Sequence, residues 1–279
     1  MIAALLSSIG YAGSVILDKF VLSIYRLPLK IYIPLIFVIL ALLSAIFLPF
    51  FGHIDFAGIN LFYIGVFVSM IVIAAIWNIL YTQSMQKENL HEYELIMLIS
   101  PLATIIFAEI FFPSERNLGV SVAAGIASVT FVLSRLRGHH IALSLTAKRT
   151  VLAMLLMSFE SILFKELLNV FSPVALYFAR TAVIALVFAF MYKPNFGQIH
   201  VKPFLLVLGS GLFAFANMVL KLYGFDKLGI VETTMLLLLG PLMVYAFSYF
   251  YFRERQHYKY DMACAIVVVL CIIYTVVIK

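Results

Sequence analysis

Charge is what this sequence has least of. Only 11% of its 279 residues are Asp, Glu, Lys or Arg, while 65% are apolar and the mean hydropathy is +1.11. A soluble domain carries about 25% charged residues, so a soluble globular domain, a disordered chain and a charged coiled coil are all excluded. Cysteine is nearly absent. Cys264 and Cys271 lie in one apolar run and read as small hydrophobes, not as a disulfide framework. The formal net charge of +6 is scattered through short polar gaps and forms no nucleic-acid-binding face.

Enzyme signatures are missing too. His91-Glu92-Tyr93-Glu94 has no second histidine where a zinc helix needs one. Asp18, Asp55, Asp226 and Asp261 never cluster as a metal–diphosphate site requires. Gly209-Ser210-Gly211 is not a nucleophile elbow, and no glycine-rich phosphate loop occurs. No catalytic residue, metal, cofactor or ATP-driven step is therefore expected.

What remains is apolar sequence in lengths that fit a bilayer. A hydrocarbon core of about 30 Å takes roughly 20 residues of helix. The chain divides into such stretches at 2–25, 30–50, 61–83, 93–112, 117–135, 150–170, 174–192, 203–224, 230–252 and 261–278. Runs such as 266–273 do not alternate, which excludes a β-barrel and leaves helices to satisfy the backbone in lipid. No basic segment precedes the first run, so a cleaved signal peptide is not expected. The expected fold is all-α and integral to the membrane, with ten spans and both termini on one side.

The ten spans repeat. Lys87, Glu92 and Pro101 recur as Lys227, Glu232 and Pro241, while Asn78 recurs as Asn217 and Glu115-Arg116 as Glu254-Arg255. In the opening spans Tyr11, Ser14 and Asp18 share one helical face, and Ser158, Ser161 and Lys165 repeat that stripe at an offset of 147. Five spans per repeat force the second half to enter from the opposite face, as two inverted repeats suited to alternating access. The expected division is 1–137, a basic connection at 138–149, and 150–279.

Several residues are candidates for the site. Tyr11, Ser14, Ser158 and Ser161 are read as cavity lining, against plain close packing between helices. Trp77, Asn78 and Tyr81, with Asn217 and Lys221 as counterparts, form an aromatic–amide group for an organic solute. Glu160 lies mid-span, where a carboxylate is costly. It is read as a proton-coupling or amine-binding group, or as a structural partner of Arg180. Arg180 could in turn bind a carboxylate or phosphate. Lys165 joins this coupling group or merely snorkels from its helix end. Pro101 and Pro241 are read as kinks.

The Lys19 and Lys165 helix ends, Ser172-Pro173 followed by Arg180, the paired prolines and the Glu-Arg pairs resemble the drug/metabolite transporter superfamily, specifically its EamA-type ten-helix members. The resemblance covers essentially the whole chain. It departs in lacking an arginine equivalent to Arg180 in the first half, and in Glu160. It implies a transporter, with both termini cytoplasmic; the excess of Lys and Arg on the side away from the termini places them outside. The expected activity is secondary transport, as an exporter of a small organic metabolite such as an amino acid. A lipid-linked or nucleotide-sugar carrier is the alternative, and a lipid-modifying membrane enzyme the alternative of another class. The expected partners are that small molecule and the bilayer of the cell membrane, without nucleic acid, in a monomer or homodimer.

Overall fold

The computed structural model describes residues 1–87, 97, 99–117 and 145–247, with single positions between 119 and 130 and between 250 and 274. Among these the regular elements are all helices. In chain order the helices are α1 (Ile2–Lys19), α2 (Leu29–Phe51), α3 (Leu61–Lys87), α4 (Ile99–Phe111), α5 (Leu145–Leu167), α6 (Pro173–Tyr192), α7 (Val201–Lys227), α8 (Ile230–Leu237) and α9 (Leu239–Phe247). A widened turn over Phe20–Ile24 prolongs α1. Five segments are long and apolar enough to cross a membrane: Ile2–Ile24, Leu29–Phe51, Leu61–Gln86, Pro173–Tyr192 and Val201–Lys227. This is a multi-pass membrane protein. The expected spans 117–135 and 261–278, and the start of 93–112, lie largely outside the described residues.

Local sequence sets the boundaries. Pro28 precedes α2 and Gly52 ends it. Pro173 opens α6 at a position where its missing N–H costs nothing, and the Ser172 hydroxyl caps that helix by accepting from Ala175 N. The same hydroxyl accepts from His53 N at 2.8 Å and donates to Phe51 O at 3.1 Å. With the bridge between Ile54 and Phe171, this ties the turn after α2 to the turn after α5. Gly229, at φ 87°, provides the left-handed turn from which α8 leaves.

Two boundaries differ from expectation. The span 230–252 is not one helix: it breaks at Leu238, three residues before Pro241, which cannot donate to the Leu237 carbonyl. Helix α5 begins at Leu145, inside the expected connection, and carries Lys148 and Arg149 exposed on its first turns.

Packing follows from small residues and apolar faces. Helix α1 lies against α7, α8 and α9; α5 lies against α3 and α4; α2 lies against α6; and α4 meets α8. The α1–α7 crossing is close because residue 10 is glycine. A Cβ there would stand 2.8 Å from the Phe213 carbonyl oxygen and 2.9 Å from Asn217 N.

Candidate functional site

All nine of these helices contribute side chains to a cavity of about 180 Å³ at the centre of the bundle. From α1 come Tyr11, Ser14 and Asp18; from α2, Tyr32, Ile36 and Phe37; from α3, Trp77, Asn78 and Tyr81. Pro101 and Thr104 of α4, Met157 and Glu160 of α5, and Tyr177 and Arg180 of α6 face it as well. Asn217, Met218 and Lys221 of α7 and Thr234 and Leu237 of α8, with Pro241 of α9, complete the wall.

Its polar centre is an ion pair. Arg180 Nε lies 2.6 Å from Glu160 Oε1, and the two side chains are 3% and 2% exposed. The other carboxylate oxygen accepts from Trp77 Nε1 at 2.7 Å. Both Glu160 oxygens are therefore engaged, by α6 on one side and α3 on the other. The Arg180 guanidinium sits among three rings, 5.4 Å from Phe164 and 6.0 Å from both Phe37 and Trp77. Lys221 donates to Ser161 Oγ at 3.1 Å and lies 5.2 Å from the Phe225 ring. Asp18, also buried, accepts a hydrogen bond from Ser210 of α7 and has Tyr32 beside it.

The expected lining residues divide. Tyr11, Ser14, Trp77, Asn78, Tyr81 and Asn217 do face the cavity. Trp77 meets Tyr81 edge-on at 5.8 Å, and the Asn78 amide donates to Ala74 O within its own helix. Asn217 accepts from Ser7, at 2.8 Å to both its backbone and its side-chain oxygen, so it also fastens α1 to α7. Ser158 and Ser161 are not among the residues that line the cavity. Ser158 is buried against α4, bonded to Ser100 O at 2.9 Å, and Ser161 accepts from Lys221 while donating to Met157 O. Small hydroxyl residues let helices approach, and here that use prevails.

Lys165 is displaced from the ion pair too. Its Nζ donates to Phe225 O at 2.7 Å and lies 3.3 Å from Glu115 Oε1. Glu115 accepts from Ile230 N and Val231 N at 2.6 and 3.2 Å, capping α8. Lys19 mirrors this at the end of α1, donating to Met85 O at 3.0 Å. Pro241 lies just beyond the α8–α9 break. Pro101 lies in α4, but residues 88–96 and 98 before it are outside the described residues, and so is any kink there.

Two tyrosines of the wall were absent from the expected site. Tyr32 and Tyr177 occupy matching places in α2 and α6, an offset of 145 that the repeat contains but that two tyrosines in apolar runs do not announce. Asp18 and Lys221 were legible as charges inside apolar spans, the signal that singled out Glu160.

Residues 145–277 match the EamA-like transporter family. No curated protein matches. A solved structure titled only as a crystal structure of protein superposes with a TM-score of 0.69 at 16% identity, covering 99% of each chain. That likeness shows the fold, and it extends through the first half as well as the second.

Proposed function

We infer that this chain is a secondary transporter of the drug/metabolite transporter superfamily working by alternating access, a reading supported by the match of residues 145–277 to the EamA-like transporter family. We read it as an exporter of a small organic metabolite such as an amino acid, in the cell membrane, as a monomer or homodimer. The observation that carries this reading is where the cavity lies. It is walled by both halves, 1–137 and 150–279, and their helices exchange equivalent partners across it.

Helix α1 packs on α7 as α5 packs on α3, and α1 meets α8 and α9 as α5 meets α4. The turns after α2 and α5 touch, so α1 and α5 run in opposite directions. Lys19 and Lys165 reach the last carbonyls of α3 and α7, the third helices of their respective halves. These pairings support two inverted five-helix repeats, which rock against each other around a midplane site. Tyr11, Ser14, Trp77, Asn78, Tyr81 and Asn217 would hold the solute. Glu160 and Arg180, tied to Trp77, would join α3, α5 and α6 into one moving body, with proton coupling as a further role for a cavity carboxylate.

Proteoliposomes loaded with labelled amino acids test this reading. Efflux of chemically unchanged solute, absent from empty vesicles, is the expected result. Conversion of a lipid or solute to a new product without flux would favour a membrane enzyme instead.

A further inference from the structure

We infer that Arg180 and Lys221 form an anion-binding pole of the cavity and that the transported solute presents a carboxylate to it. This rests on the carrier reading above and names the group the carrier recognises. Arginine has five N–H donors and stays protonated in any protein environment. Arg180 spends one of them, on Nε, in its bond to Glu160. Its two terminal nitrogens make no hydrogen bond to any other described residue, although the side chain is 97% shielded and lines the cavity. A guanidinium held edge-on by a carboxylate and packed between rings keeps its outer fork directed at whatever occupies that space.

Lys221 adds the charge. Glu160 offsets Arg180, and the charged groups acting on Lys221 are this same pair. Lys221 itself has a hydroxyl and a ring for neighbours and no carboxylate within ion-pair distance among the described residues. The cavity's other carboxylate, Asp18, is held by Ser210. Counted over the whole cavity the two cations meet two carboxylates, but Asp18 is not among the charges acting on Lys221, so the Arg180–Lys221 end sets two cations against one anion, which suits a monoanion better than a dianionic phosphate. The adjoining walls, Ile36, Phe37, Trp77, Tyr177 and Met218, are apolar or aromatic. The solute that fits is therefore a monocarboxylate with an apolar body, not a sugar phosphate or a simple cation.

Matched acids and amides test this on the purified full chain. The probes are 3-phenylpropanoate with its amide, phenylalanine with its amide, and inorganic phosphate, read by ligand-induced thermal shift and by counterflow in proteoliposomes. Acids are expected to stabilise the protein at concentrations at least tenfold lower than their amides. Lys221→Met is expected to weaken acid binding at least tenfold with the unliganded Tm retained, and Lys221→Arg to restore it. Three results would each overturn the inference: amides binding as well as acids, acid binding unaffected by Lys221→Met, or phosphate binding more tightly than either acid. So would failure of both acids to bind. Counterflow of a neutral or cationic solute without acid preference would overturn the anion pole but leave the carrier standing. Acid binding with no flux of any solute would overturn the carrier reading alone.

Discussion

Removing the carboxylate of Glu160 while Arg180 stays in place is expected to destabilise the protein by about 3–5 kcal/mol, the usual penalty for leaving one buried charge unpaired. The pair is 2–3% exposed, and Glu160 Oε2 also holds the Trp77 indole, so Glu160→Met strands groups on two neighbouring helices at once. Arg180→Met should cost a similar amount by stranding Glu160. The double variant should recover most of the loss, because an ion pair replaced by well-packed apolar residues of similar size is close to neutral. Thermal unfolding of the three purified variants measures this cycle. Losses that simply add in the double variant would show that the two charges do not act as a pair. The double variant should also fail to bind carboxylates despite its recovered stability.

Alanine in place of Gly10 should carry the next largest effect. The added Cβ would meet backbone atoms of α7 at 2.8 and 2.9 Å, and backbone cannot swing aside as a side chain can. Helices α1 and α7 must separate, with an expected loss of about 1–3 kcal/mol typical of overpacking. Flux should fall as well, since this crossing joins the two halves beside Asn217. Gly65 provides the contrast. Nothing lies within 4 Å of its missing Cβ, so Gly65→Ala should hold or raise stability by up to about 1 kcal/mol through helix propensity alone. Equal losses at the two glycines would contradict the close-packed crossing.

Much of this was legible because the bilayer leaves the chain few choices. Apolar length determines the spans, and Pro241 marks the place where the ninth span comes apart. The Glu160–Arg180 pair was readable because two opposite charges in adjacent apolar spans have few other partners. The serines of α5 pack against neighbouring helices instead of facing the cavity, for a reason of register. An offset of 147 aligns Ser158 and Ser161 with Tyr11 and Ser14. The bonds made by Lys19 and Lys165 set the two helices in register at 146, which aligns Tyr11 with Met157 and Ser14 with Glu160. Those four residues all line the cavity. One residue turns an α-helix by about 100°, enough to rotate a lining stripe into a packing face. Glu160, which lies off the serine stripe, is the residue that stands where Ser14 does. Tyr32 and Tyr177 escaped because a tyrosine in an apolar run reveals nothing of its neighbours until helices α2 and α6 are packed together.

Alternating access requires that the central cavity be reached from each side of the membrane in turn. Ala214 of α7 lines that cavity, and a single cysteine at this position, with Cys264 and Cys271 replaced, reports its exposure. Membrane-impermeant maleimide applied to either face of sealed, oriented vesicles should label Ala214→Cys from both, with transported solute slowing both reactions. Labelling confined to one face, whatever solute is present on either side, would contradict alternating access.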